Sequence, residues 1–116
     1  MQIDQPTPEL PVRNIEEAQR YVRDRMGFEI GWHHTEGRIG AVSHGECAIF
    51  LRQTTEAVHP VVLWIFATDI DAAYAELVER GAEITDPIND KPWGLRQFTA
   101  RDPHGHILHF HHDKAS

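Results

Sequence analysis

What this sequence has little of narrows its character first. It has one cysteine, Cys47, so no internal disulfide can form and nothing in its thiol usage departs from a reducing compartment. It has no apolar run near the roughly 20 residues that a membrane-spanning helix needs, so no membrane partner is expected. The segment Met1-Gln2-Ile3-Asp4-Gln5-Pro6 has neither a basic nor a following apolar stretch and does not read as a signal peptide. The expectation is a cytoplasmic location. Positive charge is also scarce: 11 Lys and Arg stand against 18 Asp and Glu, a net charge of −7. An acidic surface repels phosphate backbones, which argues against nucleic acid as a partner and favours a cationic ligand.

What is present is one domain's worth of chain, 116 residues of which 41% are hydrophobic. It carries an internal repeat. Leu10-Pro11-Val12-Arg13-Asn14-Ile15-Glu16-Glu17-Ala18 reads as strand, cap and helix start, and Ile65-Phe66-Ala67-Thr68-Asp69-Ile70-Asp71-Ala72-Ala73 reads the same way. Asn14 and Asp69 suit the N-cap, where a side-chain oxygen accepts orphan N–H groups. Ile15, Ala18, Val22 and Met26 form one helical stripe, and Ile70, Ala73, Tyr74, Leu77 and Val78 form the second. Gly27 and Gly81 stop the two helices.

Strand-like pieces follow each helix: 28–33, 38–43 and 47–52 in the first half, 82–85, 95–100 and 107–111 in the second. Turn residues separate them, among them Ser43-His44, Asp86-Pro87 and Asn89-Asp90-Lys91-Pro92. Each half therefore reads β-α-β-β-β. The expected organisation is a single domain, 1–116, with one module over about 5–55 and another over about 60–113, and with residues 113–116 frayed.

The motifs Lys91-Pro92-Trp93-Gly94-Leu95-Arg96-Gln97-Phe98 and Arg101-Asp102-Pro103-His104-Gly105-His106-Ile107-Leu108-His109-Phe110 resemble the bleomycin-resistance branch of the glyoxalase/bleomycin resistance/dioxygenase (vicinal oxygen chelate) superfamily. Gln97 stands where that branch commonly has Glu, and His106 where it has Asn. Val62-Leu63-Trp64-Ile65-Phe66, Pro8 and Met26-Gly27-Phe28 are similar to the branch as well. The resemblance implies an α+β fold in which two tandem βαβββ modules form a U-shaped mixed sheet around a cavity. It also implies a homodimer, with Pro6, Pro8 and Pro11 confining the first strand to an edge or crossover.

Metal-dependent relatives in the superfamily place ligands on the first and last strands of each half. By motif spacing the resemblance puts Thr7 and Val62 at the first-strand positions, His109 at the second last-strand position, and the remaining position within 47–50. A catalytic metal needs about three donors, and Val62 has none. His109 is the one plausible ligand at a family position. His109 and His111, two apart on a strand, share a face; a metal would need a third ligand, which His33 or His34 could supply across the sheet. No nucleophile constellation is apparent, no catalytic residue is assigned, and Cys47 reads as a buried structural thiol.

Aromatic residues carry the other reading. If Val62 faces the cavity, Trp64 and Phe66 share its face. Trp93 sits in a tight turn, and Trp32 alternates with Ile30 and His34 on another strand. The expected ligand-binding set is Trp32, Val62, Trp64, Phe66, Trp93, His109 and His111, without cofactor, for an aromatic or cationic small molecule such as a glycopeptide antibiotic. The alternative is a divalent-metal-dependent glyoxalase-like lyase or isomerase, or an extradiol-type dioxygenase.

Overall fold

The structure, a computed structural model, describes residues 1–114; residues 115 and 116, part of the segment expected to fray, lie outside it. The chain divides into two compact units, Met1–His59 and Pro60 onward. The first contains β1 (Glu9–Val12), α1 (Ile15–Met26), β2 (Glu29–His34), β3 (Ile39–His44) and β4 (Cys47–Gln53). The second contains β5 (Val62–Phe66), α2 (Ile70–Glu79), β6 (Glu83–Asp90), β7 (Leu95–Arg101) and β8 (Ile107–Asp113). Each is the β-α-β-β-β unit expected from the repeat.

The sheets have matching order, β1-β4-β3-β2 and β5-β8-β7-β6. Each is mixed, because the first strand of a unit runs parallel to its last while the other pairs are antiparallel. β1 lies at a sheet edge, where the missing N–H of Pro11 disrupts no ladder.

The caps act as the sequence indicates. Asn14 Oδ1 accepts from Glu17 N at 2.9 Å, and Asp69 Oδ1 accepts from Ala72 N at 3.0 Å. Gly27 and Gly81 take positive φ at the helix ends. Buried residues of α1 (Ile15, Ala18, Val22, Met26) join Leu10, Val12, Val42, Ile49 and Leu51 in the core of the first unit. In the second, Ile70 and Leu77 of α2 accompany Phe98, Ala100, Leu108 and Phe110. Phe98 and Phe110 stack with ring centroids 4.9 Å apart, and Tyr74 meets Phe98 edge-on at 5.1 Å.

Four expectations need correction. β6 does not end at Thr85 but continues through Pro87 to Asp90, with register shifts on both sides of Asp86 that accommodate the proline. Val78 is exposed, because α2 rests on Ile70, Tyr74 and Leu77 and turns Val78 away. Ser43 and His44 belong to β3, and the hairpin turn is Gly45-Glu46 alone. Asp113 is not frayed: it pairs with Leu95, and Lys114 N donates to Gly94 O at 2.9 Å. Among the described residues no helix is long and apolar enough to cross a membrane.

Candidate functional site

Strand alternation gives the second sheet two unlike faces. Leu63, Ile65, Phe98, Ala100, Leu108 and Phe110 point to the α2 side. The opposite face is organised in rows by the strand register. Phe66 pairs with His111, which pairs with Gln97; Trp64 pairs with His109, which pairs with Thr99 and then Asp86; Val62 pairs with Ile107, which pairs with Arg101. The middle row is the centre of an open groove of about 850 Å³. Trp64, Asp86, Thr99 and His109 line it along that row, with Thr85, Ile107 and Arg101 to one side and Gln97, Trp93 and Lys91 to the other.

Trp93 stands on the turn between β6 and β7. Lys91 N donates to Leu95 O at 2.7 Å and Gly94 N donates to Lys91 O at 3.2 Å. Gly94 has φ 91, which an L side chain rarely adopts, so this turn depends on glycine. The indole is 60% exposed but held: its Nε1–H donates to Gln97 Oε1 at 3.1 Å, and Lys91 Nζ lies 5.7 Å from the ring centroid. Lys91 is itself fixed by Asp86, with Nζ to Oδ2 at 2.6 Å. Across the groove Trp64 is 53% exposed and packs on the His109 ring at 4.2 Å, 33° from parallel. His109 Nδ1 is 2.7 Å from Thr99 Oγ1.

The charges here are largely matched. Lys91 pairs with Asp86, and Arg101 pairs with Glu83, holding the Glu83 carboxyl below its usual range. Burial pushes His109 below the ordinary imidazole range; the Asp86 charge opposes this, while Lys91 and His111 add to it. Burial pushes His111 down as well.

Of the residues expected from sequence, Trp64, Trp93 and His109 meet in this groove. Val62, Phe66 and His111 share its face but are not among its lining residues; Phe66 contacts His111 and His112 instead. Trp32 lies in the first unit, where it packs on Phe50 at 5.4 Å. Sequence reasoning passed over Asp86, Lys91, Gln97, Thr99 and Arg101. The alternation of β7 about Phe98 was the available signal for Gln97, Thr99 and Arg101. Cys47 is half-buried, less enclosed than expected, because it opens β4 beside the hairpin turn; burial raises its thiol pKa.

Two of the other histidines hold turns and loops through their rings. His106 is fully buried, its Nδ1 accepting from Val61 N at 2.9 Å, while Asp102 Oδ1 accepts from the N–H of His104 and His106. His34 Nδ1 accepts from Gly37 N in the β2–β3 turn. The superfamily's metal does not fit this donor set. Glu9 pairs with Phe50 as Trp64 pairs with His109, so Phe50 holds the first-unit place that His109 holds in the second. Phe50 and Val62 have no lone pairs, and Thr7 precedes β1 as a weak donor. Among the described residues no three His, Cys, Asp or Glu side chains gather where they could hold a metal.

Known proteins agree with this architecture. The family model of the Glyoxalase/Bleomycin resistance protein/Dioxygenase superfamily matches residues 2–110. No curated protein matches the sequence. Among solved structures, TioX from Micromonospora sp. ML1 is 24% identical with a TM-score of 0.81, over 95% of this chain and 99% of that one. The bleomycin-binding protein of bleomycin-producing Streptomyces verticillus, complexed with copper(II)-bleomycin, is 22% identical with a TM-score of 0.81, over 100% of this chain and 99% of that one. A bleomycin resistance determinant encoded on the transposon Tn5 is 18% identical with a TM-score of 0.84, over 97% of this chain and 100% of that one. At these identities the structures speak to fold alone. With the two βαβββ units and a family match across residues 2–110, the chain belongs to the glyoxalase/bleomycin resistance protein/dioxygenase superfamily.

Proposed function

We propose that this protein binds a flat aromatic small molecule in the groove of its second sheet, without a metal, and sequesters it as a bleomycin-resistance protein does. One observation carries the reading: two indoles, Trp64 and Trp93, each more than half exposed, line a single groove of about 850 Å³. That volume lies within the usual range for small-molecule sites, and exposed aromatic faces of this kind gain free energy when a flat ring covers them. The bleomycin-binding relatives support the same class of ligand. The net charge of −7 does not extend into the groove, where Lys91 and Arg101 outnumber Asp86. The aromatic half of the expectation is therefore favoured over the cationic half. A metal-dependent lyase or dioxygenase is disfavoured by the donor set.

Titration with bleomycin, metal-free and copper-loaded, should quench tryptophan fluorescence and raise the melting temperature. No change at millimolar concentration would remove the glycopeptide as ligand. The proposal includes a single working domain and a homodimer, because β1 and β5 are edge strands and β5 presents half-exposed Val62, Trp64 and Phe66. Light scattering should give twice the chain's 13.3 kDa. A mass of one chain at every concentration would refute the dimer.

A further inference from the structure

Two polar side chains of the groove, Gln97 and His109, present hydrogen-bond donors to it. Asp86, one of its acceptors, is partly engaged: Oδ2 takes Lys91 at 2.6 Å, while Oδ1 has a long contact with Asn89 Nδ2 at 3.5 Å. Gln97 has its oxygen assigned by chemistry, because an indole nitrogen can only donate and Trp93 Nε1 meets Gln97 Oε1 at 3.1 Å. This leaves the Gln97 amide nitrogen without a partner among the described residues.

His109 is fixed by a similar argument. Thr99 is buried, and among the described residues the partner of its hydroxyl is His109 Nδ1, at 2.7 Å. A buried hydroxyl proton needs an acceptor. If Nδ1 carried the ring proton, the Thr99 proton would have no acceptor among the described residues. With Nδ1 accepting, both groups are satisfied and the ring proton sits on Nε2. Nε2 has no partner among the described residues. Trp64, tilted 33° against the ring at 4.2 Å, covers a face of the imidazole and leaves its edge to make hydrogen bonds.

We infer that the groove selects ligands by their hydrogen-bond acceptors: His109 Nε2–H and the Gln97 amide N–H are specificity-determining donors, and the ligand is a flat heteroaromatic carrying a ring nitrogen or carbonyl on its edge. This rests on the flat-ligand reading above but adds a polarity that stacking alone does not supply. Once a ligand covers the groove, an analogue lacking the acceptor leaves these N–H groups unpaired and is disfavoured.

Two bicyclic probes of similar size and opposite sense test it. Quinoline has a ring acceptor and no donor; indole has a donor N–H and no ring acceptor. By NMR titration at pH 7.5 the parent should bind quinoline about tenfold more tightly than indole. His109→Phe, which keeps a ring against Trp64, should reduce that preference at least threefold. Long-range proton–nitrogen spectra of the unliganded parent should show His109 protonated on Nε2, and Thr99→Val should mix the two tautomers. Equal or tighter indole binding, an unchanged preference in His109→Phe, or a parent His109 protonated on Nδ1 would each overturn the inference. If neither probe binds at millimolar concentration, the flat-ligand reading fails, and the tautomer measurement, which needs no ligand, still decides the donor assignment.

Discussion

Replacing Trp93 separates its two roles, because one depends on the ring face and the other on the ring N–H. The side chain is 60% exposed, so a flat ligand would cover an area on the order of 100 Å² of it. At about 25 cal/mol per Å² that burial contributes about 2.5 kcal/mol, and stacking geometry adds about 1 kcal/mol. Ordering costs on association reduce the sum, so Trp93→Ala should weaken quinoline binding by about ten- to a hundredfold. A residue in a glycine turn would on its own be expected to cost little stability when truncated. Gln97 changes that: it is only 3% exposed, and Trp93 Nε1–H is its bond. Losing that bond costs about 1 kcal/mol, and losing the Lys91–ring contact costs about 0.5 kcal/mol. Trp93→Phe keeps a ring face but loses the N–H, so it should lose about 1 kcal/mol of stability and only about threefold in affinity. Urea denaturation and NMR titration of the two variants give the four numbers. Parent-like stability in both would show that the Gln97 bond is idle. Parent-like affinity in Trp93→Ala would show that the turn is scaffold and the groove is misassigned.

Trp64→Ala should cost about 1 kcal/mol in urea unfolding, because Trp64 is 53% exposed on an edge strand, whereas Phe98→Ala, fully buried between Phe110 and Tyr74, should cost about 3–5 kcal/mol; equal costs would contradict the two-faced sheet. Burial lowers the pKa of His109 and His111, so the folded state binds fewer protons than the unfolded chain below about pH 6.5. Stability should therefore be full above that pH and fall as pH drops through the folded values. Thermal melts at pH 7.5 and 5.5 should show the loss, and a His109→Phe/His111→Phe variant should lose less; an identical drop in the variant would assign the effect elsewhere. Dialysis against EDTA should leave the melting temperature unchanged, and a large decrease with stoichiometric metal in the untreated protein would overturn the metal-free reading.

Much of the architecture was legible in the chain because its signals are local. Caps at Asn14 and Asp69, helical stripes, glycine stops and a two-residue alternation each depend on neighbours a few positions away. They were enough to find both βαβββ units, and to put Val62, Trp64 and Phe66 on one face and His109 and His111 together. The length of β6 was hidden because Pro87 reads as a strand breaker, and only bulges on both sides let the pairing with β7 continue.

The groove itself needed tertiary structure. Alternation says which residues share a face of one strand; it does not say which residue of the next strand lies beside them. That register is set by pairing between distant segments, and it is what puts Trp64 beside His109, His109 beside Thr99 and Thr99 beside Asp86. The same pairing separated Trp64 and His109, in the groove, from Phe66 and His111 one row away. Neither the Trp93–Gln97 bond nor the Thr99–His109 bond has a sequence signature, since hydrogen-bonding sense is decided by which atoms meet and not by which residues are present.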